Sequence, residues 1–407
     1  MECVVDGAVR SQNLRSQTEP LRGVVVKMEL VKIRKRIDEI DDQIARLFKE
    51  RMETIEQVAE NKRMNNMPVL SEAREREILY RVTEITGPEL ENYTKMLFNT
   101  LFDLSHNYQH MKLAHGKSTL GDLIKTAVKE TPAEFPSRAT VACQGVEGSY
   151  SQQVCDKFFS VPQILYFNRF EGVFQAVEHG LCRYGILPVE NSSSGSVTEV
   201  YDLMVKYKFY IVRSFKLKIE HCLLAKPGTK RNEIREIVSH EQALSQCGEF
   251  FKAHPEIKAT VFDNTAAAAK YVAESDRKDI AAIASPNCAA LYGLSVLNTN
   301  VQNSDHNYTR FICISKNMEI YPGSNKITFL ASVAHKPGSL YSLISKFSSQ
   351  GINISKIESR PIPGKDFEFR FYFDVEASIE SEKTLNILSQ LETDAFFAFL
   401  GNYRELS

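Results

Sequence analysis

Paired cysteines are missing from this chain: its eight cysteines stand singly along 407 residues, with no C-x-x-C among them. That spacing gives no support to a zinc ribbon or a dithiol exchange centre, and it suits a reducing compartment. Long hydrophobic runs are missing too. No stretch approaches the roughly 20 apolar residues that cross a bilayer, and the first residues carry no signal-peptide core. The expected location is the cytoplasm, with no membrane partner. Nor does one sign of charge prevail, since 50 Lys and Arg face 51 Asp and Glu. A near-neutral chain has no long-range pull on nucleic acid or an anionic surface, so any anionic ligand must be met by a local cluster. Residues 1–27 mix Arg10, Arg15 and Arg22 with Glu2, Asp6 and Glu19 and show no period. They are expected to form a disordered extension. Met28 directly precedes the first amphipathic pattern and offers an alternative biological start, which the intact mass of native protein would decide.

What is present points to several modules, because the chain is too long for one ordinary core. From Glu29 to Met64 the residues Ile33, Ile37, Ile40, Ile44, Leu47, Ile55 and Val58 recur at three- and four-residue steps, predicting a long helix that Pro68 ends. Helical patterns at 71–85 and 88–113 complete an all-α module over 28–114, and one long helix with two shorter partners suggests an interlocked dimer. Residues 115–137, with Gly116, Gly121, Pro132 and Pro136 around a short amphipathic segment, read as a linker. Over 138–318, β-rich runs alternate with helical ones (ATVAC then SYSQQVCDKFF, YGILPV then SVTEVYDLMVK), predicting an α/β module with a mostly parallel sheet. Residues 326–405 read strand, helix, strand, strand, helix, strand, an α+β ferredoxin-like unit.

Two cations, Arg51 and Lys62, continue the apolar stripe of the first helix. Three turns separate their Cα atoms, roughly 16 Å, a span that two long side chains close upon a small anion. On the third helix Leu97, Leu101, Ser105 and Gln109 share a face, again with polar groups where apolar ones began. A solvated helix end, or pairing of the cations with Glu75, is the plainer reading. With IRKRIDEIDDQI the whole set resembles the all-helical chorismate mutase family. The resemblance implies that Arg34 reaches the partner subunit's site and Arg51 binds carboxylates in its own. It further implies Lys62 and Gln109 on the ether oxygen, Glu75 and Ser105 on the ring hydroxyl, and Arg74 in support. Ser71 stands where some members carry Asp. An intramolecular rearrangement needs only a compact conformer and stabilised ether-oxygen charge, so no cofactor is expected.

In the α/β module, Gly145–Ser151 and Glu190–Ser196 each follow a predicted strand and precede a helix, a setting that turns backbone N–H groups and hydroxyls toward carboxylate oxygens. Taken singly, each is equally an ordinary N-cap. Together with SHEQALSQC and NYTRF they resemble the prephenate dehydratase family, which implies two α/β lobes of periplasmic-binding type around a cleft. Thr309 is then the essential residue, with Arg310 organising the site, Glu190, Asn191, Ser192 and Ser193 lining it, and Ser239 and Gln246 supplying hydrogen bonds. His306 replaces the usual Asp of the motif. His106 and His110 have a metal-compatible spacing without a third ligand, and His240 either touches substrate or caps a helix.

Near the C-terminus, Gly338-Ser339-Leu340 opens a helix and Glu358-Ser359-Arg360-Pro361 ends a strand. The segment resembles an ACT regulatory domain, which implies that both flank bound phenylalanine at a dimer interface; Glu358 and Arg360 read alternatively as a bistable contact. The sum of these resemblances is a homodimer, or higher homo-oligomer, that converts chorismate through prephenate to phenylpyruvate under feedback by phenylalanine. Two other readings stay open: a dehydratase with a catalytically dead helical module, and an anion-sensing regulator. The latter needs an output element such as a basic recognition helix, and none is evident.

Overall fold

A computed structural model describes residues 19–65, 71–113, 119–335, 337–362, 368–393 and 396–407. The chain divides into two compact units, 1–115 and 116–407.

The first unit is helical: α1 (Glu19–Met64), α2 (Glu72–Thr86) and α3 (Glu91–Leu113). The expected disordered extension is corrected in part, because α1 starts at Glu19, ahead of Met28. Pro20 lies in the first turn, where no amide partner is needed, and no further proline interrupts the chain before Met64. Residues 1–18 and Pro68 lie outside the described residues. Along α1, Ile33, Ile37, Ile40, Ile44 and Leu47 remain 41–63% exposed. Three helices of one chain are too few to cover this stripe, which at about 1.5–3 kcal/mol per side chain holds a large unused burial energy.

The second unit opens with α4 (Thr119–Glu130), and here the expected linker is corrected. Leu120, Ile124 and Ala127 fall on one helical face and pack into the core of the C-terminal module with Phe329, Phe347 and Leu388. The Leu120 amide donates to the Glu392 carboxylate, so the helix start is pinned as well.

Lobe 1 follows, with β1 (Arg138–Gln144), α5 (Tyr150–Phe158), β2 (Val161–Phe167), α6 (Phe170–Glu178), β3 (Tyr184–Asn191), β4 (Gly195–Ser196), α7 (Thr198–Tyr207) and β5 (Tyr210–Lys218). The chain crosses to lobe 2, built from β6 (Cys222–Ala225), β7 (Glu236–Ser239), α8 (Glu241–Gln246), α9 (Gly248–Ala253), β8 (Lys258–Val261), α10 (Thr265–Glu274), β9 (Ile280–Ala284), α11 (Pro286–Tyr292) and β10 (Ser295–Asn298). It returns to lobe 1 as β11 (Tyr308–Ser315). Ile219 N–H donates to the Asn307 carbonyl at 2.7 Å, stapling the two crossings together.

The expectation of mostly parallel sheets holds for only part of each lobe. β1 pairs in parallel with β2 and β3, but β11 lies antiparallel between β3 and β5. In lobe 2, β7 pairs in parallel with β8 and β9, whereas β6 and β10 run antiparallel. The double crossing accounts for the difference: strands that carry the chain between lobes need no βαβ connection and enter against the local direction.

The C-terminal module comprises β12 (Lys326–Ser332), α12 (Ser339–Ser348), β13 (Asn353–Pro361), β14 (Phe369–Glu376), α13 (Glu382–Thr393) and β15 (Phe397–Leu406). Its order β13-β14-β12-β15, antiparallel throughout, is the ferredoxin-like arrangement expected. The end of β15 then pairs in parallel with β5, so one sheet runs through lobe 1 and the C-terminal module. Gly401 makes this possible. Its φ is +142°, and a Cβ there would lie 2.3 Å from the Ile211 carbonyl oxygen. Only a glycine permits that approach at unstrained geometry.

Candidate active sites

In the helical unit the polar residues of α3 are covered while its apolar start is bare: Ser105 and Gln109 are buried, and Leu97 is exposed. Arg51, half-buried, donates from Nη1 to the Leu101 carbonyl at 3.2 Å and also to Ser105 Oγ. Burial pulls its pKa below the usual arginine value. Gln109 Nε2 donates to the Ser105 carbonyl, while its Oε1 is buried with no hydrogen-bond partner among the described residues. Glu75 pairs with His106 Nε2 at 2.8 Å, which gives His106 a carboxylate partner. Lys62 is half-buried on α1. Arg74 is exposed and paired with Glu77, and Arg34 and Ser71 are exposed. This unit therefore gathers Arg51, Ser105 and Gln109 tightly and leaves Arg34 and Arg74 on its surface.

Between the two lobes of the second unit lies a cleft of about 370 Å³. Thr309, Asn191, Gln246, Tyr150, His221 and His240 line it. Among the described residues of its lining none is lysine or arginine. Anion-binding capacity comes instead from helix starts: Ser149 caps α5, His240 caps α8 by accepting from Gln242 N–H, and Asn264 caps α10 by accepting from Ala267 N–H at 2.7 Å. His240 thus both caps a helix and borders the cleft.

The hydrogen bonds around Thr309 have a definite polarity. Backbone N–H groups only donate, and those of Ser193 and Ser194 both reach Asn191 Oδ1 at 3.0 Å. The Asn191 amide nitrogen must then face the other way. It donates to Asn307 Oδ1 at 2.8 Å and to Thr309 Oγ1 at 2.9 Å. With Oγ1 already accepting, the threonine's own proton is left to point at a ligand.

Strand alternation sorts the remaining expected residues. Thr309 faces the cleft, so Arg310 turns to the opposite side, where Nη1 meets Asp374 of β14 at 2.6 Å and Nε lies 3.4 Å from Glu190. Glu190 accompanies it, also paired with Lys356 at 3.1 Å. The expectation that Glu190 lines the substrate site and Arg310 organises it is corrected: both side chains belong to the junction with the C-terminal module. Ser239 is corrected likewise. It is fully buried and spends its hydroxyl on the Ile283 carbonyl at 2.6 Å. Ser192 holds the loop, accepting from Tyr308 N–H and donating to the His306 carbonyl. The His306 side chain is exposed, so the missing motif Asp costs the network nothing. Ser193 contributes its backbone amide.

At the C-terminal module, Gly338 caps α12 in a left-handed conformation, with Ser339 and Leu340 in the first turn. Glu358 accepts from Ser196 Oγ at 2.8 Å, and Arg360 pairs with Asp202 of α7 at 2.7 Å. Ser359 and Pro361 are exposed on the outer face of edge strand β13. Lys336 lies outside the described residues. Sequence reasoning missed His221, which is buried by tertiary contacts and which no local pattern marks. Tyr150 and Asn307 stand inside the Gly145–Ser151 and NYTRF segments, but no role was expected of either.

These features define a chain with a polar pocket in a helical unit and a cation-free, hydroxyl-bearing cleft between two α/β lobes. Residues 33–110 match the chorismate mutase type II family and residues 141–319 match prephenate dehydratase. Arogenate dehydratase 2 of Petunia hybrida is 36% identical over 285 residues, 66% of this chain and 72% of that protein. The bifunctional chorismate mutase/prephenate dehydratase of Escherichia coli is 29% identical over 385 residues, covering 92% and 96%. The structure of prephenate dehydratase from Arthrobacter aurescens in complex with L-Phe aligns at a TM-score of 0.60 and 27% identity, over 65% of this chain and 89% of that one. The chain belongs to the prephenate dehydratase family and carries a chorismate mutase domain ahead of it, the arrangement of the bifunctional chorismate mutase/prephenate dehydratases. It is an isomerase and a lyase of phenylalanine biosynthesis.

Proposed function

We propose that Thr309 is the proton donor of the dehydration step, and that phenylalanine bound to the C-terminal module restrains it. Prephenate loses carbon dioxide and its ring hydroxyl together. The electron pair of the breaking carboxyl bond moves into the ring as the C–O bond breaks, and the departing oxygen takes a proton to leave as water. A hydroxyl whose oxygen already accepts from Asn191 is disposed to give its proton or hydrogen bond to that oxygen. This polarity is the observation that carries the reading. The cleft supports it further: helix starts bind carboxylates without the strong ion pair that would hold the departing one back. A threonine hydroxyl is too weak an acid for full ionisation, so it acts as a donor or relay.

In the helical module, Arg51, Lys62, Gln109, Glu75 and Ser105 hold chorismate in its compact conformer, with Arg34 reaching from the partner subunit and Ser71 and Arg74 at the rim. The exposed isoleucine stripe on α1 favours a homodimer. The ferredoxin-like module acts as an ACT sensor, with Gly338, Ser339, Leu340 and Glu358–Pro361 as its effector face, and the whole enzyme works in the cytoplasm. Arogenate is a second substrate on this reading, because Asp263 lines the cleft and suits an ammonium group.

The test feeds chorismate to the purified protein and follows prephenate and phenylpyruvate separately, with and without phenylalanine. Thr309→Ala is expected to accumulate prephenate at the wild-type rate and form no phenylpyruvate. Phenylpyruvate formation by Thr309→Ala overturns the donor role, and insensitivity of the wild type to phenylalanine overturns the sensor.

A further inference from the structure

We infer that His221 is a positioning residue for dehydration: as the Nε2–H tautomer it holds Gln246 in place against Asn191 and Asn307, and so steadies the network that directs the Thr309 hydroxyl. The inference rests on the reading of Thr309 as donor.

Hydrogen-bond polarity, propagated outward from the two backbone donors, leads to the histidine. Asn307 Oδ1 accepts from Asn191, so Asn307 Nδ2 is the atom that faces Gln246 Oε1, at 2.9 Å. Gln246 Oε1 is therefore an acceptor. Its amide nitrogen, accordingly, donates to Asn191 Oδ1 and Ser194 Oγ, each at 3.3 Å. His221 Nε2 lies 3.0 Å from the same Gln246 Oε1. An acceptor oxygen demands a proton from that nitrogen, so the imidazole carries hydrogen on Nε2. Its Nδ1 is then an acceptor, and the Tyr150 hydroxyl at 3.3 Å is placed to share its proton between that nitrogen and the Glu220 carbonyl 2.8 Å away.

The ring has little freedom to do anything else. His221 is 2% exposed. Its N–H donates to Gln302 Oε1 at 2.9 Å, and its carbonyl accepts from Val301 N–H at 2.9 Å. It sits in the first crossing between the lobes, immediately before β6, so it holds a lobe 2 side chain, Gln246, against the lobe 1 pair Asn191 and Thr309. Burial also disfavours the imidazolium and pushes the pKa below the ordinary histidine value, which keeps the ring neutral. Without the Nε2 donor the Gln246 oxygen loses one of its two donors, keeping only Asn307 Nδ2, and the amide gains freedom to drift from Asn191.

The test compares His221→Leu, which removes the donor at similar volume, with His221→Gln, whose Nε2 occupies nearly the same place. Mutase activity of the same chain and the melting temperature report on folding. His221→Leu is expected to lower dehydratase kcat about 10- to 100-fold with KM changed little, the penalty of a misdirected catalytic group. His221→Gln should recover most of it. Selective ¹⁵N-histidine labelling, assigned by the signal lost in His221→Gln, should show the neutral Nε2–H tautomer. Full kcat in His221→Leu, equal loss in Leu and Gln variants, or an Nδ1–H tautomer overturns the proposal. Thr309→Ala run alongside separates the two ideas: its inactivity beside an unimpaired His221→Leu leaves the donor standing and removes only the positioning role.

Discussion

At the residue scale the two reactions draw on different physics. The mutase pocket depends on charge placed against a developing ether oxygen, and Lys62 supplies it on the reading given above. Lys62→Ala is expected to raise the barrier for chorismate rearrangement by about 3 kcal/mol, on the order of a hundredfold in rate, while prephenate turnover stays normal. Separate assays on the two substrates check this. On the proposed reading the dehydratase cleft depends on the direction of uncharged donors, so a single asparagine held by two backbone amides should matter more there than any ion. Asn191, Gln246 and Thr309 were legible in the sequence because they sit in short motifs that place polar residues beside a strand end. Ser239 stands in such a motif too, yet strand alternation sends its side chain into the lobe 2 core. His221 was not legible, since its role depends on two crossings that meet only in the folded chain.

At the element scale, β11 and β15 join the cleft to the C-terminal module. β11 carries Thr309 to one face and Arg310 to the other, so consecutive residues of one strand touch the cleft and the C-terminal module. β15 leaves the ferredoxin-like sheet and joins β5, and the bend rests on Gly401. Gly401→Ala forces a Cβ against a backbone carbonyl at a φ that disfavours side chains. It should destabilise the second unit by more than about 1 kcal/mol, read as a lower melting temperature with the helical unit's mutase activity retained. The amphipathic period of 119–130 was visible in the sequence, but its glycine and proline neighbours concealed that it belongs to a core. The exposed stripe of α1 was visible as well, and the isolated chain leaves it bare.

At the scale of the whole second unit, the junction between lobe 1 and the C-terminal module is a network of ions, all buried or half-buried except the exposed Lys216. Arg310 pairs with Asp374, Lys356 with Glu190, and Lys216 and Lys326 with Glu405. Asp374→Asn removes the nearest counter-charge of the buried Arg310 guanidinium and leaves it Glu190 at 3.4 Å and Glu405 at 3.9 Å. The expected loss of stability is below the roughly 3–5 kcal/mol of a fully unpaired buried charge, with altered phenylalanine response where the fold survives. Denaturant unfolding and the chorismate assay measure the two effects. Burial alone would push the Glu405 pKa up, but Lys326 and Lys216 outweigh it and hold the carboxylate below its ordinary value. A depressed carboxylate contributes stability above its unfolded pKa and loses it as pH falls through the folded one. The junction should therefore loosen first on the acid side, below the usual carboxylate range.

The sequence by itself determined the module order, the helical and ferredoxin-like periods, and the motifs that carry both reactions, because these depend on contacts between near neighbours. Which side of a strand a motif residue faces, the polarity of the Asn191 and Gln246 amides, the service of Arg310 and Glu190 to the junction, and the union of two modules in one sheet were decided only by tertiary structure. Each of them depends on partners far away in the chain, and no local spacing records where those partners come to rest.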